Sequence, residues 1–113
     1  MTEKTLKPLL VVEDNPGLQK QLKWAFEGYQ VYLAGDRKSA LELLQQHRPR
    51  VVTLDLGLPP DPANASEGLQ ALSEILRLAP HTKVIVVTGN DDRRNALKAV
   101  SLGAYDFYQK PID

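Results

Sequence analysis

Short apolar, β-branched runs alternate along this chain with segments of helical spacing, and the runs end in polar residues. No other feature narrows the fold so far. Pro8-Leu9-Leu10-Val11-Val12 closes on Glu13-Asp14, and Arg50-Val51-Val52-Thr53-Leu54 closes on Asp55. Lys83-Val84-Ile85-Val86-Val87 closes on Thr88, and Ala104-Tyr105-Asp106-Phe107-Tyr108-Gln109 runs into Lys110-Pro111. With Gln30-Val31-Tyr32-Leu33-Ala34, these segments read as strands, and the unbroken apolar character of the first predicts burial on both faces.

The intervening segments carry helix signals. Asn15-Pro16 offers an N-cap and a first-turn proline ahead of the stripe Leu18, Leu22, Ala25 and Phe26, with Gly28 as the stop. Trp24 falls off that stripe and is expected to be half-exposed. Asp36 caps a second helix bearing Ala40, Leu41, Leu43 and Leu44, which ends before Pro49. Ser66 is expected to cap a third, with Leu69, Leu72, Ile75 and Leu76 on its apolar face and its end before Pro80. Asp91 and Asp92 favour the start of a fourth, which carries Ala96, Leu97, Val100 and Leu102 and stops at Gly103. Strand–helix alternation at this spacing predicts right-handed crossovers and a parallel sheet, an α/β fold.

At 113 residues the chain is long enough for one domain with a core but not for two. Fourteen basic residues balance fourteen acidic ones, which disfavours direct nucleic-acid binding. There is no cysteine, so disulfides, thiolate metal sites and a cysteine nucleophile are excluded. The start Met1-Thr2-Glu3-Lys4-Thr5 is polar and lacks the long apolar region of a signal peptide. No apolar run approaches the roughly 18 residues that span a bilayer. A cytoplasmic protein with no membrane contact is expected.

In a parallel sheet the carboxyl ends of the strands share one edge, where such sheets bind ligands. That edge would gather Glu13, Asp14, Asp55, Thr88 and Lys110. Three carboxylates repel unless a cation sits among them, and oxygen donors without His or Cys suit Mg²⁺. Lys110 would supply a point charge and Thr88 a hydroxyl donor for a phosphoryl group. The set describes a carboxylate that accepts a phosphoryl group.

These motifs together resemble the response-regulator receiver domain of bacterial two-component signalling. They are Val11-Val12-Glu13-Asp14-Asn15, Leu54-Asp55-Leu56-Gly57-Leu58-Pro59, Val87-Thr88-Gly89 and Lys110-Pro111. The resemblance runs from about Pro8 to Asp113, after a tail over 1–7. It implies a flavodoxin-like, doubly wound five-stranded sheet in the order 2-1-3-4-5, with the family's last helix missing from this sequence. Asp55 would be the phosphoacceptor, and Glu13, Asp14 and Asp55 would hold Mg²⁺ with the backbone carbonyl of Gly57. Thr88 would move towards the phosphoryl group, Lys110 would be the family's lysine, with its bond to Pro111 cis, and Phe107 would stand where the family has its switch aromatic, more often tyrosine.

Three runs are also similar to the PEP-CTERM-box (exopolysaccharide-associated) regulators: Leu56-Gly57-Leu58-Pro59-Pro60-Asp61-Pro62, Val87 to Asp92, and Tyr105 to Asp113. These join a receiver to a sigma-54-interacting ATPase domain and a DNA-binding domain. The loop after Asp55 is longer than usual by about five residues, and such loops tend to be functional or mobile. The implied partners are a sensor histidine kinase, the downstream domains and a second copy in a homodimer. The implied chemistry is self-phosphorylation and slow hydrolysis rather than enzymatic turnover of a separate substrate. His47 and His81 are solitary and read as surface residues. One rival reading is a haloacid-dehalogenase-like phosphatase, which needs a general acid two residues after the nucleophile, where this chain has Gly57. Another is an interaction module that is never phosphorylated.

Overall fold

The computed structural model describes residues 6–60, 64–89 and 93–110. Among the described residues five strands and four helices alternate: β1 Lys7–Val12, α1 Pro16–Ala25, β2 Tyr29–Ala34, α2 Arg37–His47, β3 Val51–Asp55, α3 Ser66–Leu78, β4 Lys83–Thr88, α4 Arg93–Ser101 and β5 Asp106–Gln109. The strands form one sheet in the order β2-β1-β3-β4-β5, with every neighbouring pair parallel. The expected α/β architecture and strand order are therefore those observed.

Strand alternation sorts the side chains. Leu10, Val12, Val52, Leu54, Val84 and Val86 point to one face and form a continuous core with Ala40, Leu44, Ala71, Leu72, Ile75 and Ala99 of α2, α3 and α4. On the other face Leu9 and Val11 are also buried, as the unbroken run in β1 predicts, whereas Ile85 and Val87 of β4 are half-buried and Tyr108 of β5 is exposed.

Helix ends follow local chemistry. The Asn15 side chain accepts from the amides of Gly17 and Leu18 at 2.9 and 3.1 Å, and that of Asp36 from the Ser39 amide at 2.8 Å. Each satisfies donors that a helix start leaves free. α4 closes with the Gly103 amide on the Val100 carbonyl and the Ala104 amide on the Ala99 carbonyl, both at 3.0 Å. Gly103 has φ of +118°, which a glycine adopts without strain.

Four expectations are corrected. Ser66 is the first residue of α3, not its cap; the cap position is Ala65, whose side chain makes no capping bond. α1 ends at Ala25, short of Gly28, because the Tyr29 amide turns back to the Phe26 carbonyl at 2.9 Å. Trp24 is 75% exposed rather than half-exposed. On α4 the buried residues are Ala96 and Ala99, while Leu97, Val100 and Leu102 are exposed, so the helix rests on its small residues. Asp91, Asp92, Pro62 and Pro111 lie outside the described residues; within the loop after Asp55, the Pro59–Pro60 peptide is cis.

Candidate phosphoacceptor site

The strand register brings the expected residues to one edge. Val12 pairs with Leu54, Asp55 with Val87, and Thr88 with Gln109. Glu13 follows β1, Asp55 and Thr88 end β3 and β4, and Lys110 follows β5. The Lys110 amide donates to the Thr88 carbonyl at 2.8 Å, which holds that lysine at the sheet edge.

Asp55 is buried, and its two oxygens have different partners. The Gly57 amide donates to Oδ1 at 3.0 Å, and Lys110 Nζ donates to Oδ2 at 3.1 Å. Lys110 Nζ also lies 3.4 Å from Glu13 Oε1, while the Asn15 amide donates to Glu13 Oε2 at 3.2 Å. One carboxylate oxygen from each of Glu13, Asp14 and Asp55 lies within 4.8 Å of the other two. Glu13 and Asp55 are buried and Asp14 is exposed, so the cluster opens to solvent on one side.

One ammonium does not balance this acidic set. Burial, and then the neighbouring Asp55 charge, push Glu13 up from the ordinary 4.5 to about 7, against the opposing pull of the Asn15 amide and Lys110. Burial alone would lower Lys110, but the Asp55 bond and the charges of Asp55 and Glu13 together raise it. Thr88 Oγ1 is buried and has no hydrogen-bond partner among the described residues. A buried hydroxyl without a partner, at the end of the strand next to that of Asp55, leaves polar capacity unused. A group that accepts from the hydroxyl and a cation that binds carboxylates would answer both. Three carboxylates with no nitrogen or sulfur donor form a cluster that could hold a hard divalent cation.

Glu13, Asp14, Asp55, Thr88 and Lys110 therefore lie at the same sheet edge. Phe107 is half-buried and packs against the core cluster. His47 stacks on Tyr32 with ring centroids 3.6 Å apart. His81 lines a cavity of about 1220 Å³ at the opposite edge, beside the strand starts Lys7, Val51 and Lys83. Two supporting residues escape sequence reasoning. The Gln19 amide side chain donates to the Glu13 carbonyl, and nothing in the spacing announces it. Gly68 in the first turn of α3 abuts the backbone of Leu56; a glycine inside a helical pattern was the available signal.

Comparison with known proteins decides the family, because the model of the response regulator receiver domain matches residues 9–113. The chain belongs to that family. This receiver is 32% identical to Protein CcdB of Bacillus subtilis over 93% of the chain and 86% of the relative. It is 30% identical to Regulatory protein AtoC of Escherichia coli over 93% of the chain, but it spans only 22% of AtoC's length. Among solved structures it is similar to a response regulator protein from Burkholderia pseudomallei described with a phosphorylated aspartic acid, calcium ion and citrate. The TM-score is 0.82 at 30% identity, covering 95% of this chain and 61% of the other. Among the described residues, no helix is long and apolar enough to cross a membrane.

Proposed function

We propose that this receiver takes a phosphoryl group from the phosphohistidine of a sensor kinase onto Asp55. The observation that carries the proposal is the treatment of the Asp55 carboxylate, held at one oxygen by Lys110 and at the other by the Gly57 amide, beside Glu13 and Asp14. An Asp55 oxygen attacks phosphorus, the phosphorus–nitrogen bond breaks, and the electron pair returns to the imidazole. Lys110 balances charge on the phosphoryl oxygens, and the unpartnered Thr88 hydroxyl donates to one of them. Glu13, Asp14, Asp55 and the Gly57 carbonyl would hold Mg²⁺, which when bound neutralises charge on the donor and acceptor oxygens. The phosphorylated aspartic acid of the Burkholderia relative supports this chemistry by analogy.

Phosphorylation adds about −1.5 to −2 charges at pH 7. Thr88 and Lys110 are drawn towards that charge, Phe107 follows, and the face of α4 and β5 changes its partner, including a second copy of the chain. Residues 8–113 act as one receiver unit, and Lys7 of the expected leading segment already pairs in β1. By likeness to the PEP-CTERM-box regulators, the unit controls a sigma-54-interacting ATPase and a DNA-binding domain in the cytoplasm. The chain itself binds no nucleic acid and turns over no separate substrate.

Acetyl phosphate with Mg²⁺ should add one phosphoryl group to the protein by intact mass, and Asp55→Asn should abolish the addition. Undiminished labelling of the variant overturns the assignment. A phosphatase of the dehalogenase type would hydrolyse a generic phosphomonoester; with glycine rather than a general acid at position 57, no turnover is expected. A module that is never phosphorylated would show neither result.

A further inference from the structure

The backbone just after Asp55 is held from three sides. Leu56 is almost fully buried; its amide donates to the Val87 carbonyl at 3.3 Å, and its carbonyl accepts from the Leu58 amide at 3.1 Å. The third side is α3. A Cβ built on Gly68 would overlap Leu56 Cα and O, and would stand 2.7 Å from Leu56 C. Backbone-to-backbone contact of this kind admits only glycine, so the first turn of α3 rests directly on the peptide that leads to the Gly57 amide.

A second group fixes α3 in that seat. Arg37, the first residue of α2, donates from Nε to Glu67 Oε2 at 2.7 Å and from Nη1 to Glu74 Oε2 at 2.8 Å. Glu67 immediately precedes Gly68, and Glu74 lies two helical turns further on the same face. One guanidinium thus ties the start of α2 to two points along α3, and the three side chains are 16 to 31% exposed. Partial exposure makes each pair weak, but a forked network sets position more firmly than a lone pair.

We propose that Gly68 and Arg37 are positioning residues for phosphoryl acceptance. Gly68 lets α3 seat on Leu56, Arg37 keeps it seated, and the seated helix fixes the Gly57 amide that orients Asp55 Oδ1. The effect reaches the reacting carboxylate through one peptide unit, and neither residue touches the phosphoryl group. This inference rests on Asp55 being the acceptor.

The test compares wild type, Gly68→Ala and Arg37→Gln as the full chain, with acetyl phosphate as donor. Labelling rates at saturating Mg²⁺, Mg²⁺ affinity by calorimetry, and the amide NMR signal of Gly57 are measured beside a thermal melt. Displacing reacting groups by a fraction of an ångström to 1 Å slows reactions by up to about a hundredfold. Gly68→Ala should therefore slow labelling at least about tenfold, with a shifted Gly57 amide signal. Arg37→Gln, at a partly exposed site that folding tolerates, should slow it about threefold. Were Gly68→Ala not to fold, the Arg37→Gln rate decides. Folded variants that melt lower but label at the wild-type rate, with an unmoved Gly57 signal, overturn the proposal. Labelling of Asp55→Asn in the otherwise wild-type chain would instead sink the acceptor assignment, so the two failures are distinct.

Discussion

Glu13→Gln should flatten the pH dependence of the metal-free protein's stability. An unfolded glutamate releases its proton near 4.5, whereas buried Glu13 beside Asp55 holds its own up to about 7. Between those values the folded state binds a proton that the unfolded state has lost, so stability falls as pH rises. The contribution is complete below 4.5 and gone above about 7. Its side chain is only 3% exposed, so solvent screens the effect little. At about 1.4 kcal/mol per pH unit the whole window is worth about 3 kcal/mol, of which about 2.5 kcal/mol falls between pH 5 and pH 8. Urea unfolding of wild type and variant in chelator at those two pH values reads the difference directly. The gap in unfolding free energy should move by about 2.5 kcal/mol in favour of Gln between the lower and the higher pH. A gap that stays constant refutes the assignment of burial and the Asp55 charge as the origin of the shift. Restoring Mg²⁺ at pH 8 to a hundredfold excess over its dissociation constant should stabilise wild type by about 2.7 kcal/mol, and the variant, which lacks one of the carboxylates, by less.

Three further outcomes test separate parts of the structure. Thr88→Val removes a buried hydroxyl without a partner, so unfolding stability should stay within about 1 kcal/mol of wild type while phosphoryl labelling slows; a loss of several kcal/mol would mean that the hydroxyl is bonded. Gly103→Ala puts a side chain at φ of +118° and 2.9 Å from Leu76 Cδ1, which should lower stability by about 1–3 kcal/mol in urea unfolding. On α4, Leu97→Gln should change stability by less than about 0.5 kcal/mol, whereas Ala96→Leu at a fully buried position should cost about 2 kcal/mol. Reversal of that order would place the opposite face of α4 on the sheet.

The fold was legible because each strand ends where its chemistry changes. Val11-Val12 gives way to Glu13, Leu54 to Asp55 and Val87 to Thr88, and a parallel sheet can only gather those ends on one edge. That single inference brought all five polar residues to one sheet edge. Capping was legible where a side chain forms the bond itself, as at Asn15 and Asp36, and failed at Ser66, where the cap position fell on an alanine. α4 misled for a packing reason. Leu97 and Val100 have the right spacing for a core face, but Ala96 and Ala99 let the helix approach the sheet closely, and periodicity does not record that distance. The Arg37 brace and the seat at Gly68 join residues on separate elements, so spacing along one element carried no trace of their partners. The Thr88 hydroxyl was named from its strand end, but that it is buried without a partner is a property of three-dimensional packing.

The most direct test is to locate the modified carboxylate. Protein treated with acetyl phosphate and Mg²⁺ is reduced with borohydride, which converts an aspartyl phosphate to homoserine, and is then mapped by peptide mass spectrometry. Homoserine should appear at position 55 alone and vanish when Mg²⁺ is chelated. Modification at Glu13 or Asp14 with Asp55 intact, or labelling at Asp55 that persists in chelator, would contradict the site described here.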